Sequence, residues 1–352
     1  MQRPSGAVVG IGALGLAGLA AGAIAGMAAE RTVVKHTFRH DPDRFEEYGN
    51  LLAERRRVVL PDGVSLHVDV VEPAGFRSGI DPTLVFAHGF ALNSGAWHYQ
   101  RRDLDGLGRM VFYDQRSHGR SDRAPNGTHT IDQLGRDLAE VVRRTAPTGP
   151  VILIGHSMGG MTVMSLIEHH PELVGDRVVG VALLATSPGQ MNTVTLGLPK
   201  STASLMHRYA EDVAAIMTAR QPLIDPVRSR ASDLSYLLTK IYSFGGWSSP
   251  SMTRYVHDMN AATPADVVAE FIPALAKHDK MESLEVLRAI PTLVLVGDHD
   301  LLTPVSHSEE ILRKVPTAEF VVLPECGHMV ILERHADVNY RLRELFRRTM
   351  TR

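Results

Sequence analysis

The 352-residue sequence contains a single cysteine, Cys326. That excludes an intrachain disulfide and any zinc site built from several thiolates, and Cys326 itself reads as a small buried residue near the end of a strand. Charge of one sign is missing as well: 37 basic and 39 acidic residues leave a formal net charge of −2. A broad basic face for nucleic acid is therefore not expected, nor an acidic tail. Internal repeats are lacking, and low complexity is confined to a Gly/Ala-rich N-terminus. His169-His170 ends a helical pattern without a third ligand at metal spacing, so no metal is expected there.

What is present begins with that N-terminus. Gly6 to Ala29 is an uncharged run of about 24 residues, roughly 36 Å long as a helix and enough to cross a bilayer. Gly18, Gly22 and Gly26 recur at a spacing that lets membrane helices approach closely. Three readings compete: an uncleaved transmembrane anchor, a signal segment cut near Ala25–Ala29, and an apolar segment that does neither. The first is taken as the expectation. Arg31, Lys35 and Arg39 behind the run outweigh Arg3 before it, which favours the cytoplasmic face for the remainder of the chain, with export as the alternative. Residues 31–55 are polar and mixed in charge, and predict a linker with a short helix over Arg44–Glu54.

A compact unit is expected from Arg56. Arg56–Leu60 and Ser65–Glu72, joined by Pro61-Asp62-Gly63, read as a hairpin. Short apolar strands at 83–86, 109–113, 151–154 and 178–184 then alternate with helical patterns, Ile131–Thr145 among them. This alternation predicts a mostly parallel α/β sheet with helices on both faces. It stops near Ser187 and resumes at Thr292. The intervening residues carry helical patterns rich in methionine and leucine, and residues 187–275 are expected to form a helical cap. The core is thus read in two parts, 56–186 and 276–352, the second ending in a helix from Val330 to about Arg347.

The chemistry concentrates at strand ends. Val151–Ile154 runs into Gly155-His156-Ser157-Met158-Gly159 and then into a helical pattern, which puts a serine on a sharp strand-to-helix turn. A serine hydroxyl is a weak nucleophile, and such a turn lifts it clear of the sheet, where a histidine can take its proton. Further strand ends carry His88-Gly89-Phe90, then Asp114 to Asp122, then Gly297-Asp298-His299-Asp300, and finally Gly327-His328.

Together these pieces, with the 297–300 and 327–328 ends taken as one pair, resemble the α/β-hydrolase family over about residues 56–350, in its capped, serine-nucleophile, esterase- or lipase-like branch. The resemblance implies an eight-stranded-type sheet and a triad in the order Ser157, Asp300, His328. Asp298 competes with Asp300 for the acid, and the family's G-x-x-D pattern selects Asp300. The resemblance also assigns the oxyanion donors to the backbone N–H groups of Phe90 and Met158, and makes His88, His156 and the Asp114–His118 loop supporting rather than reacting groups. No cofactor is implied. The expected activity is hydrolysis of a small-molecule carboxylic ester, with an apolar or lipid-like portion suggested by the cap. The same machinery serves thioesterases, lactonases, C–C bond hydrolases, perhydrolases and aminopeptidases, and a non-catalytic relative that only binds is a further alternative. Serine rather than aspartate at the turn argues against the dehalogenase and epoxide-hydrolase branches.

Overall fold

The computed structural model describes residues 41–191, 194, 197 and 232–351. The expected N-terminal apolar helix, the first part of the linker and much of the expected cap lie outside the described residues. Among the described residues, no helix is long and apolar enough to cross a membrane.

Eight strands form one sheet: β1 (Glu54–Val59), β2 (Ser65–Val71), β3 (Thr83–Ala87), β4 (Arg109–Tyr113), β5 (Val151–His156), β6 (Val178–Leu184), β7 (Thr292–Gly297) and β8 (Glu319–Leu323). Their order is β1-β2-β4-β3-β5-β6-β7-β8. β1 and β2 form the expected antiparallel hairpin, β2 is antiparallel to β4, and the remaining strands pair in parallel. The helices among the described residues are α1 (His98–Asp103), α2 (Ile131–Thr145), α3 (Met158–His169), α4 (Ser232–Ser243), α5 (Pro250–Ala262), α6 (Ala265–Ala276), α7 (Val305–Lys314), α8 (Val330–Glu333) and α9 (His335–Met350).

Strand side chains alternate between two buried layers. Val85, Val111, Leu153, Leu183 and Val294 face α2, α3 and α7, where Leu138, Val163, Leu166 and Ile311 meet them. Leu84, Phe86, Phe112, Ile154, Leu184 and Leu295 face the opposite side, with Trp97, Tyr99, Val338, Leu342 and Leu345 from α9 and the segment ending in α1. Each such aliphatic side chain contributes about 1.5–3 kcal/mol by leaving water. Covering both faces explains why these strands read as continuous apolar runs rather than as alternating ones. α2 matches its sequence pattern from end to end. Thr130 caps it by accepting from Gln133 N, while Asp132 and Arg143-Arg144 suit the two ends of its dipole.

Three expectations are corrected. Arg44–Glu54 forms no helix; residues 42–49 are mostly turns, and β1 already begins at Glu54. Nor are residues 41–50 a free linker. The Tyr48 ring stacks on Tyr255 at 4.8 Å between centroids, and its hydroxyl lies 3.0 Å from that of Tyr99. The Glu46 carboxylate accepts from His98 Nε2 at 2.7 Å, and Asp41 Oδ2 accepts from the Ser251 hydroxyl at 2.6 Å. The stretch is therefore a strap tied to α1 and α5, and the partners that hold it lie about 50 and 200 residues away, beyond the reach of local pattern reading. Finally, the terminal helix is broken at Arg334 into α8 and α9.

Candidate active site

β5 delivers Ser157 to the end of the sheet and α3 leads away from it. Ser157 has φ 55° and ψ −122°, a left-handed conformation that costs a non-glycine residue about 1–3 kcal/mol. Packing enforces it: Ser157 N donates to Leu184 O at 3.0 Å, and the Thr186 hydroxyl donates to Ser157 O at 2.7 Å. A side chain at Gly159 would run into the carbonyl of Ala87, and one at Gly155 into the backbone of Gly159. The glycines therefore let β3, β5 and α3 close up around the turn. Although Ser157 occupies the N-cap position of α3, its hydroxyl makes no capping hydrogen bond, so it is not consumed by the helix.

Asp300 and His328 follow β7 and β8, and the structure brings them together. His328 Nδ1–H donates to Asp300 Oδ2 at 2.8 Å, both side chains being buried. This fixes the proton on Nδ1 and leaves Nε2 with its lone pair. Asp300 is held on every side: its Oδ1 accepts from the N–H groups of Leu302 and Thr303 at 2.9 Å each, and its Oδ2 also accepts from the Thr303 hydroxyl at 2.8 Å. Burial pushes the Asp300 carboxyl up, but the neighbouring His328 and these donors outweigh it and hold the pKa below the usual carboxylate value. Asp298, the competing acid, accepts instead from Cys326 N at 3.2 Å and supports the turn before His328. The part of Thr303 was missed from sequence, although its spacing of three from Asp300 is the signal that could have shown it.

The supporting histidines are locked in neutral tautomers. His88 donates from Nδ1 to Gly89 O at 2.8 Å and accepts at Nε2 from Gln115 N at 2.9 Å. His118 donates from Nδ1 to Arg116 O and accepts from Ala91 N, and burial pushes its pKa down to about 3. His156 donates from Nε2 to His328 O at 2.9 Å, which ties the serine turn to the histidine loop; burial lowers its pKa to about 3 as well. Asp114 accepts from the N–H groups of Ser94 and Arg120, so the Asp114–Asp122 loop pins the segment after β3.

Of the expected oxyanion donors, Met158 directly follows Ser157 and Phe90 lies on the segment after β3. Met158 is the first residue of α3, where backbone N–H groups have no partner within the helix. Phe90 follows Gly89, at which an added side chain would come within 3.1 Å of the Ser157 Cβ. Ser157, Phe90 and His328 line one cavity of ≈ 540 Å³, otherwise bounded mainly by apolar side chains such as Leu92, Met161, Ile272 and Leu275.

Around His169, Asp132 of α2 and Glu168 bring their side-chain oxygens close to its ring, while His170 takes no part and pairs with Glu172. The ammonium of Lys280 already occupies the group, 2.7 Å from Asp132 Oδ1 and paired with Glu168. The cluster is an ion-pair network joining α2, α3 and the segment after α6.

The chain is similar to known proteins. Residues 82–335 match the family model described as alpha/beta hydrolase fold. The chain is 27% identical over 263 residues to the mouse (Mus musculus) sn-1-specific diacylglycerol lipase, covering 73% of this chain and 78% of the relative. It is 26% identical over 275 residues to the pimeloyl acyl-carrier-protein methyl ester esterase of Nitrosospira multiformis, covering 76% and 93%. A solved structure of a thermophilic esterase from Thermogutta terrifontis superposes with a TM-score of 0.64 at 24% identity, covering 84% of this chain and 99% of that one. With the matching region extending over most of the chain, this protein belongs to the α/β-hydrolase family.

Proposed function

We propose that this hydrolase cleaves carboxylic esters through Ser157, His328 and Asp300 by way of an acyl-enzyme, and that the acyl part is apolar. The observation that carries the reading is the 2.8 Å hydrogen bond from His328 Nδ1 to Asp300, with Nε2 left as a base on the same cavity as Ser157. In the first half-reaction His328 Nε2 takes the Ser157 proton as Oγ attacks the ester carbonyl carbon. The negative charge that develops on the carbonyl oxygen is met by the N–H groups of Phe90 and Met158, worth about 3 kcal/mol each. His328 then protonates the alcohol oxygen, the C–O bond breaks and the alcohol leaves. Water attacks the acyl-serine by the reverse proton route and releases the acid.

Asp300 stays ionised, keeps His328 in its tautomer and stabilises the imidazolium. The apolar side chains facing Ser157 favour an aliphatic acyl group through burial, at about 0.8 kcal/mol per methylene. A p-nitrophenyl ester series of rising acyl length tests this. Turnover should increase with chain length across short acyl groups, and a fluorophosphonate should label wild type at Ser157 but not Ser157→Ala. Folded protein that neither hydrolyses any of these esters nor takes the label would sink the proposal.

In the same reading Gly6–Ala29 is a membrane anchor, with residues 41–351 on the cytoplasmic face, and residues 31–40 link it to the strap. Its support is the length of the uncharged run and the basic residues behind it. Full-length protein should pellet with membranes and be released by detergent but not by high salt, whereas a variant lacking residues 1–30 should stay in the supernatant. Full-length protein with its N-terminus intact in the supernatant would exclude the anchor.

A further inference from the structure

His328 is held through its neighbours in the chain, and the corner between α4 and α5 takes part on both sides of it. One residue after the histidine, Met329 N donates to Ser243 O at 2.7 Å. One residue before it, Gly327 N donates to Glu333 Oε2 at 2.8 Å. The same carboxylate reaches the corner: its Oε1 accepts from Gly246 N at 2.6 Å and from Gly245 N at 3.1 Å. Gly245 O in turn accepts from His299 Nδ1 at 3.1 Å, next to Asp300 in sequence. The two backbones lie directly against each other here. A side chain at Gly327 would run into Gly245 and Phe244, and one at Gly245 into Cys326 and Gly327.

Three backbone N–H groups thus converge on one ionisable side chain. Hydrogen bonds to a carboxylate are roughly twice as strong as neutral ones, so they can hold two segments of chain together. Only Gly327 belongs to the histidine loop. Gly245 and Gly246 continue from α4, whose Thr239, Tyr242 and Ser243 line the cavity shared by Ser157 and His328. Glu333 itself does not line that cavity.

We propose that Glu333 is a positioning residue for His328: by clamping Gly327 to the Gly245-Gly246 corner it sets where the imidazole stands between Ser157 and Asp300. One wall of the cavity and the general base are then placed as a single piece. The inference rests on the ester-hydrolase reading and goes beyond it, because Glu333 acts on the reaction only through His328. Proton transfer depends steeply on placement, and a shift of about 1 Å in a reacting group can cost 10²-fold in rate. Glu333→Gln keeps the size of the side chain but replaces one acceptor oxygen with an NH2 group, which must face the N–H of either Gly327 or Gly246. One side of the clamp then opens.

The test is turnover of p-nitrophenyl butyrate by folded protein. Glu333→Gln should lower kcat by about 10- to 100-fold while KM stays within about threefold of wild type. Glu333→Asp, which keeps both acceptor oxygens, should lose less, and it replaces Glu333→Gln in every comparison if the latter fails to fold. The same substitution is then made in Asp300→Asn. Once Asp300 no longer orients the imidazole, Glu333→Gln should cost less than about threefold more, because both act through His328. A carboxylate that only stabilised the fold would cost the same factor in both backgrounds. Wild-type kcat in the folded variant, a loss confined to KM, or equal factors with and without Asp300 would overturn the assignment. Folded wild type that neither turns over the ester nor takes a fluorophosphonate is a different result, because it removes the ester-hydrolase reading itself.

Discussion

Asp300→Asn is expected to lower kcat by about 10⁴-fold on a p-nitrophenyl ester, with little change in KM. The amide would still fit among Leu302, Thr303 and His328, so the fold should survive. What changes is the bond to His328 Nδ1: a neutral amide neither holds the imidazole in the productive tautomer nor stabilises the imidazolium. Asp298→Asn should cost less than about tenfold, because Asp298 supports the Cys326 turn rather than the imidazole. Equal losses in the two variants, or the larger loss at Asp298, would place the acid wrongly. Asp300 also carries a pH signature. Since folding lowers the Asp300 pKa, its stabilising contribution is present above the ordinary carboxylate value and is lost as the pH falls through the lower, folded one.

The second large effect lies beneath the loop that pins the site. The Arg116 guanidinium is completely buried; it meets Asp137 through Nε at 2.5 Å and Nη2 at 2.7 Å, and Asp62 at 2.9 Å. Asp137→Ala should destabilise the protein by about 3–5 kcal/mol, because it leaves a buried cation with only the partly exposed Asp62. The double substitution Arg116→Met with Asp137→Leu should cost much less, since no charge is then stranded. Denaturant unfolding of the three proteins reads this directly. If the single and double variants lose equal stability, the cost comes from packing and not from the unpaired charge. The loss in Asp137→Ala should also reach catalysis, because Arg116 sits between Asp114 and His118, which hold the segment carrying Phe90.

How far the sequence reads depends on whether a residue's partner is local. The sheet was legible because β3 to β7 are buried on both faces, and each carries a nearly continuous apolar run. Ser157, Asp300 and His328 were legible because a turn with a strained serine, and acids and histidines at strand ends, leave short fixed spacings. The choice of Asp300 over Asp298 came from a family pattern, and the hydrogen bond from His328 supplies a physical reason for it. Residues 41–50 were misread because a polar stretch with scattered aromatics looks like a linker until Tyr48 has Tyr99 and Tyr255 beside it.

The solitary Cys326 makes the molecule its own clock. It is fully buried two residues ahead of His328, and burial pushes its thiol pKa up, so a thiol reagent meets almost no thiolate while the turn is closed. With no second cysteine to contribute signal, the labelling rate of the intact protein, divided by that of the unfolded chain, is the fraction of time this turn stands open. A single spectroscopic trace therefore measures the local stability of the loop that holds the histidine, separately from turnover and without an introduced probe.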